Sequence, residues 1–185
     1  MRVDGLVAKA TNAVSHDAVQ SGLEELFDQL MAENGPALVR LAGAFTNTRE
    51  DRDDLFQEMA LAIWQALPGF RGESSTRTYL FRIAHNRATA YLIRRRMTMA
   101  EPHEEPAAPD PRPDPERQLG AEQQRREPIE AVRKLPFVYR DVIALALEGL
   151  SYREIAGILG VSEANVGARL SRARTALRTL LEKTT

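Results

Sequence analysis

Seven arginines lie within residues 71–97, a stretch that contains a single acid, Glu73. Short hydrogen-bonding side chains such as Thr78 and Asn86 stand between them. Arginine binds phosphate in a bidentate manner, and short polar side chains suit contacts to bases, so the combination is suited to nucleic acid. A solvated charged face is the ordinary alternative, but no acid follows Glu73 to pair with these arginines at i,i+4. The stretch therefore predicts a polyanion-binding surface.

On a helix over 75–97, the polar residues fall on one side and the apolar residues on the other. The predicted core-facing residues are Leu80, Ile83, Ala84, Ala88 and Tyr91. The predicted polar arc consists of Thr78, Arg82, His85, Asn86, Thr89 and Arg96. We expect this arc to face solvent or a ligand.

A second basic segment, residues 151–185, has the pattern of a helix-turn-helix. Ser151 and Glu154 have capping-box spacing, Gly160 favours a turn with positive φ, and Ser162 is a good N-cap. The predicted inward residues of the last helix are Val166, Leu170, Ala173, Leu177 and Leu181. Such a helix can enter the major groove of DNA. The alternative is a helical hairpin with a structural role only.

The net charge of −1 conceals a strong asymmetry along the chain. Residues 71–97 carry +6 and residues 151–185 carry +3, whereas residues 1–70 carry −6 and residues 98–130 carry −5. Separated basic blocks point to a polyanion partner even when the total is nearly neutral.

Composition excludes several classes of function. The chain has no cysteine, which excludes disulfides, thiolate zinc sites and thiol catalysis, and its three histidines are scattered. It contains no P-loop, G-x-S-x-G, dinucleotide turn or metal-ligand spacing, so we expect no enzyme activity, cofactor or metal. No apolar run is long enough to span a membrane and no signal peptide is evident, which favours the cytoplasm.

The pattern predicts an all-α protein of two small helical domains joined by a Pro-rich acidic linker. Six of the ten prolines fall within the linker, residues 98–117. The predicted divisions are an N-terminal tail over 1–20, a first domain over 21–97 and a second over 118–185. The predicted helices span 22–32, 36–47, 51–67, 75–97, 119–134, 136–147, 151–159 and 162–182, with Pro36 in a first turn and Pro68 ending the third helix.

The helix over 51–67 carries two apolar rows, which fits either a central position or partner binding. The first row is Leu55, Met59, Ile63 and Ala66, and the second is Phe56, Ala60 and Trp64.

Two segments together resemble a known family. DRDDLFQEMALAIWQALPGFRGESSTRTYLFRIAHNRATAYLIRRR resembles region 2 of bacterial extracytoplasmic-function (ECF) sigma factors, notably in its D-L-x-Q-E-x-x-x-x-x-W pattern. LPFVYRDVIALALEGLSYREIAGILGVSEANVGARLSRARTALRTLLE resembles their region 4. The pair is more specific than either part, since a lone helix-turn-helix of this type also resembles response-regulator output domains.

The resemblance implies a subunit that binds core RNA polymerase and promoter DNA. Region 2 would dock on the clamp helices of the largest subunit, and region 4 would lie near the polymerase flap. The polymerase-binding residues it implies are Asp54, Leu55, Gln57, Glu58 and Ile63. The loop from Phe70 to Ser75 would bind a flipped base of the melted −10 element. The implied −10 residues are Arg71, Ser74, Ser75, Arg77, Thr78, Arg82 and Asn86.

The last helix would bind the duplex −35 element. The implied −35 residues are Asn165, Arg169, Ser171, Arg172 and Arg174. Gly167 and Ala168 depart from the family pattern and supply no contacting side chain there. An anti-sigma factor is an implied partner. The alternative function is a two-domain helix-turn-helix regulator that binds duplex operator without core polymerase.

Overall fold

The structure is a computed structural model that describes residues 4–100 and 131–182, with side chains described for 21–98 and 131–182. These residues form α-helices and one 3-10 turn, and no strand occurs among them. The predicted all-α class is therefore confirmed. None of the helices in these ranges is long and apolar enough to cross a membrane.

The first unit is a helical bundle of α1 (Asp4–Phe45), α2 (Arg49–Ala66) and α3 (Thr76–Ala100). A 3-10 turn, Leu67–Gly69, ends α2 at the predicted Pro-Gly. Thr48 caps α2 by accepting a hydrogen bond from the Asp51 backbone N–H at 3.0 Å. The largest fully buried core side chains are Leu38, Leu41, Leu55, Met59, Ile63, Leu80 and Phe81.

Helix α1 differs from the two helices predicted over 22–32 and 36–47, because Pro36 lies inside one continuous helix. Proline there removes one backbone hydrogen bond and disfavours a straight helix by about 3 kcal/mol. Residues on both sides of it are anchored: Leu30 is buried before it, and Leu38 and Leu41 are almost fully buried after it. Packing against α2 and α3 therefore outweighs the local signal on which the prediction rested.

The second unit comprises helical residues 131–133, α4 (Phe137–Leu147), α5 (Tyr152–Leu159) and α6 (Glu163–Glu182). Its largest fully buried side chains are Leu135, Val142, Leu145, Ile155 and Leu170. The predicted linker residues 101–117 and most of the helix predicted over 119–134 lie outside the described residues. Helix α3 continues to Ala100, three residues beyond its predicted end.

The two units pack against each other through two pairs of helices. Helix α1 contacts α4, and α3 contacts α5. The rings of Phe45 and Phe137 meet edge to face, with 6.3 Å between their centroids. This contact bears directly on the basic helix, because the second unit approaches the polar side of α3.

Candidate nucleic-acid interface

A pocket of about 260 Å³ lies between the loop after α2 and the first turns of α3. It is smaller than the ~300–1,000 Å³ of typical ligand pockets, which suits a group the size of a nucleobase. The lining residues are Gly69, Phe70, Arg71, Glu73, Ser74, Tyr79 and Arg82. The structure therefore brings together three of the residues expected to bind the −10 element: Arg71, Ser74 and Arg82.

The loop is shaped by local hydrogen bonds and one glycine. Gly72 has a φ of 74°, a conformation that a side chain disfavours. Ser75 caps α3, with its hydroxyl accepting the Thr78 backbone N–H at 3.1 Å. Tyr79 closes the pocket. Its hydroxyl donates to the Ala66 carbonyl at 3.0 Å, and the centroid of its ring lies 4.9 Å from that of the Phe70 ring. Tyr79 is not among the residues predicted from the sequence, although an aromatic residue one turn into a basic helix is a recognisable signal.

The polar arc of α3 is partly covered by the second unit. Thr78 and His85 are only 5% and 8% exposed. The imidazole of His85 lies 3.7 Å from the buried Asp141 carboxylate, and the Thr78 hydroxyl donates to Glu154 at 3.0 Å. The expectation that the arc faces solvent is correct for Asn86 and Arg96, which are exposed, and wrong for Thr78 and His85.

Two of the seven arginines of residues 71–97 are paired across the bundle. Arg94 donates to both carboxylate oxygens of Glu58 at 2.8 Å, and Arg95 donates to Asp51 at 2.9 Å. Burial alone would raise the pKa of Asp51, but hydrogen bonds from Arg95 and Thr48 more than offset it, and the pKa is lowered. These acids lie on α2, so the absence of i,i+4 partners within α3 does not leave Arg94 and Arg95 free.

The helix-turn-helix forms as predicted. Ser151 and Glu154 make both hydrogen bonds of a capping box. Gly160 has a φ of 67°, and the Ser162 hydroxyl accepts the Asn165 backbone N–H at 3.2 Å. Val166, Leu170 and Ala173 are fully buried, Leu177 is half-buried and Leu181 is 38% exposed. The inward row is therefore confirmed except at its last residue.

Helix α6 presents the expected DNA-contacting row at the surface. Exposed residues of this row are Asn165, Ser171, Arg172 and Arg174, and Arg169 is half-buried. Gly167 lies under Tyr152: a Cβ at this position would meet the Tyr152 ring at 3.5 Å, an ordinary van der Waals distance. The space around position 167 would therefore accommodate a Cβ.

The residues expected to contact polymerase form two groups, one buried in the bundle and one at the surface. Leu55 and Ile63 are fully buried, so they hold α2 in the bundle and offer no side-chain surface. Asp54 and Gln57 are exposed, and Glu58 is half-buried in its pair with Arg94. Leu61, which is not among the residues predicted from the sequence, is 58% exposed and lies on the face of Asp54 and Gln57 at helical spacing.

The second apolar row of α2 is largely packed within the bundle. Trp64 meets Phe27 of α1 edge to face, with 5.3 Å between ring centroids, and Phe56 is half-buried against the core. The central-helix interpretation of this row is therefore supported. Among the described residues, no cluster of His, Cys, Asp or Glu could hold a metal ion.

Two family models match the chain in the order expected. The model described as Sigma-70 region 2 matches residues 30–98, and the one described as Sigma-70, region 4 matches residues 126–177. The two matches, to regions 2 and 4 in this order, assign the chain to the sigma-70 class of transcription initiation factors.

Similarity to individual proteins identifies the subfamily within this class. The chain is 32% identical to RNA polymerase sigma factor CnrH of Cupriavidus metallidurans, over 88% of this chain and 90% of that protein. It is also 32% identical to the ECF RNA polymerase sigma-E factor of Escherichia coli, over 90% of this chain and 92% of that protein. The chain belongs to the ECF subfamily of sigma-70 RNA polymerase sigma factors.

Solved structures agree with the fold. CnrH in complex with the cytosolic domain of CnrY is similar with a TM-score of 0.65 and 32% identity, over 89% of this chain and 93% of that one. RpoE of Bartonella quintana, in complex with the anti-sigma factor NepR, has a TM-score of 0.67 over 84% of this chain and 96% of that one. Its identity is 24%, so it supports the fold alone.

Proposed function

We propose that this sigma factor directs core RNA polymerase to promoters by dividing recognition between its two units. The first unit binds polymerase and the melted −10 strand, and the second binds the duplex −35 element. The observation that carries this division is the pocket beside the arginine-rich helix, on a different unit from the helix-turn-helix.

The pocket supports binding of a single unpaired base. Phe70 and Tyr79 supply aromatic surface on which a base can stack, and Arg71 supplies an exposed cation for the adjoining phosphate. Arg82 also lines the pocket and supplies a second cation there. Single-stranded DNA presents both of these chemistries.

Helix α6 supports duplex binding by its N-terminal half. Asn165 is exposed in the first turn, and Arg169 and Arg172 follow along the helix at spacings of four and three residues. A recognition helix contacts base edges with its N-terminal residues and phosphates with its arginines. Gly167 and Ala168 contribute no polar group, so the −35 preference rests on the residues around them.

The exposed acidic side of α2 supports polymerase docking. Asp54, Gln57 and Leu61 share one face and combine a charge, an amide and an apolar side chain. The Glu58 carboxylate is shared with Arg94, so docking at Glu58 must compete with that ion pair. We therefore assign the main contacts to Asp54, Gln57 and Leu61.

An anti-sigma factor is a further proposed partner. CnrH, which is 32% identical to this chain, is bound in its solved structure to the cytosolic domain of CnrY. We propose that this chain acts in the cytoplasm, where polymerase and promoter DNA are found.

Charge reversal on α2 tests polymerase docking. Asp54→Lys should weaken binding to core polymerase at least about tenfold, because an exposed acid that meets a basic surface becomes a repelling charge. Asp28→Lys, an equal reversal on the exposed side of α1, should leave binding unchanged. The measurement is fluorescence anisotropy of the labelled chain titrated with core polymerase.

The same titration distinguishes the proposed function from the alternative, a DNA-binding regulator that acts without polymerase. A regulator that acts without polymerase would show no saturable binding to the core enzyme, while its second unit would still bind duplex DNA. Absence of polymerase binding by the wild-type chain, or equal binding by both reversals, would contradict the proposal.

A further inference from the structure

We infer that Ile93 and Met97 of α3 form a second DNA contact, an apolar step that binds duplex DNA immediately upstream of the opened −10 strand. Its ligands are the methyl groups that thymine bases present in the major groove. The inference rests on the proposed function, in which the pocket at the start of α3 binds an unpaired base.

The apolar step is exposed on a helix whose other large apolar side chains are mostly packed in the bundle. Ile93 is 54% exposed and Met97 is 67% exposed. They are four residues apart, so their side chains are neighbours on adjacent turns. A single exposed apolar residue is ordinary, whereas adjacent large ones indicate a contact surface.

The apolar step is aligned with the pocket. Tyr79, which closes the pocket, and Met97 are 18 residues apart, which is five complete turns of an α-helix. Arg82, which lines the pocket, and Ile93 are 11 residues apart, close to three turns. Asn86 is exposed between them. One uncovered side of α3 therefore leads from the pocket past Asn86 to the apolar step.

The charge around the apolar step favours DNA as its occupant. Arg87, Arg94 and Arg96 are exposed beside it, and α3 contains no acid. Arg94 is bound to Glu58 of α2, whereas no ion pair of Arg87 or Arg96 occurs within residues 21–98 and 131–182. These cations complement the phosphates on either side of a groove, so apolar side chains between them face base edges.

The position of the apolar step along α3 places it upstream of the pocket. From Tyr79 to Ile93 and Met97 the helix rises by about 21–27 Å, which equals roughly six to eight base-pair steps of duplex DNA. The chain continues from α3 towards the second unit, which binds the −35 element in the proposed function. The end of α3 that carries the apolar step therefore faces the −35 side of the opened strand.

The chemistry of the two side chains favours paired bases over unpaired ones. Single-strand sites stack bases on aromatic rings, as Phe70 and Tyr79 can do at the pocket. Ile93 and Met97 have no ring, and aliphatic side chains suit the thymine methyl group at the edge of a base pair. The two ends of α3 thus bind DNA in two different states.

Removal of methyl groups from the DNA tests this contact directly. The protein is the full chain assembled with core polymerase. The probe is a labelled fork DNA with an upstream duplex of alternating A·T and T·A pairs and a mixed-sequence single strand of about eight nucleotides. A matched probe carries uracil in place of each thymine of the duplex, which removes only the methyl groups. Wild type should bind the thymine probe about threefold to fourfold more tightly for each methyl group contacted, the effect of burying one methyl-sized group.

A double alanine variant, Ile93→Ala with Met97→Ala, should bind the two probes equally, because it lacks the surface that the methyl groups contact. Val138→Ala shortens an exposed apolar side chain of α4 and is the matched control, which should keep the wild-type preference. A general loss of folding or of charge would weaken binding of both probes alike, so the difference between probes isolates the contact. Fluorescence anisotropy measures each affinity.

Equal binding of the thymine and uracil probes by wild type, or undetectable binding of both, would overturn the inference. So would an unchanged preference in the double alanine variant. Weaker polymerase binding by that variant, or loss of a self-association that wild type shows, would assign the apolar step to a protein contact and overturn it too. The Asp54→Lys titration contains no DNA, so its failure counts against the proposed function, whereas equal binding of the two probes by an assembled complex counts against the apolar step alone.

Discussion

Glu154 links local folding to the contact between the units. Its carboxylate accepts the Ser151 backbone N–H at 2.8 Å and the Ser151 hydroxyl at 2.7 Å, and the Thr78 hydroxyl donates to its other oxygen. These bonds, led by that from the Ser151 backbone, lower the pKa of Glu154 below the ordinary value of 4.5. Glu154 thus completes the capping box at the start of α5 and also binds Thr78 of α3.

The lowered pKa predicts a pH-dependent contribution to stability. A carboxylate with a depressed folded-state pKa stabilises the protein above its unfolded value and loses this effect as pH falls through the folded value. Glu154→Gln should therefore be less stable than wild type by about 0.5 kcal/mol at pH 7, as is typical of a charge in a helix first turn. The difference should stay constant down to about pH 5 and shrink below the ordinary glutamate value.

Urea unfolding of both chains between pH 7 and pH 3.5 measures this difference. Glu25→Gln, at an exposed position in the interior of α1, serves as the control and should match wild type throughout. A Glu154→Gln difference that persists unchanged at pH 3.5 would contradict the assignment.

The two glycines of the helix-turn-helix have opposite physical roles. Gly160 adopts a φ of 67° at the end of α5, where a side chain is strained. Gly167 lies within α6 in helical conformation, with Tyr152 at ordinary contact distance from the place of a Cβ. The turn requires its glycine, whereas the recognition helix contains one that lowers its stability.

This contrast predicts that alanine substitutions at the two glycines change the free energy of unfolding in opposite directions. Gly167→Ala should raise the free energy of unfolding by about 0.5–1 kcal/mol, the difference in helix propensity. Gly160→Ala should lower it by about 1 kcal/mol, because alanine disfavours the left-handed region. Urea midpoints of the two variants measure both effects, and destabilisation by Gly167→Ala would show that Tyr152 cannot accommodate the methyl group.

The local features of the molecule were predictable and its long-range features were not. Ser151, Gly160 and Ser162 act within four residues of themselves, so capping and turn chemistry identified them. Arg40 and Glu148 are 108 positions apart, and Thr78 and Glu154 are 76 apart. No local pattern in one sequence encodes such pairs, and His85 therefore appeared solvent-facing although Asp141 covers it.

The same limit applies to charge and to helix length. The basic block of residues 71–97 predicts a polyanion site, but Glu58 and Asp51 of α2 neutralise two of its arginines. Pro36 signalled a helix start because its local effect is strong, yet packing of α1 carries the helix through it. In the whole molecule, acidic residues of both units contact α3 as well as balance its charge.

Transcription on genomic DNA tests the central claim, that the chain confers promoter recognition on core polymerase through two separate units. Core polymerase from the source bacterium is incubated with genomic DNA, with and without the chain, and the run-off transcripts are sequenced. We expect new start sites that share one −10 and one −35 sequence, and their loss with Asp54→Lys but not with Asp28→Lys. Start sites identical to those of core polymerase alone would contradict the account.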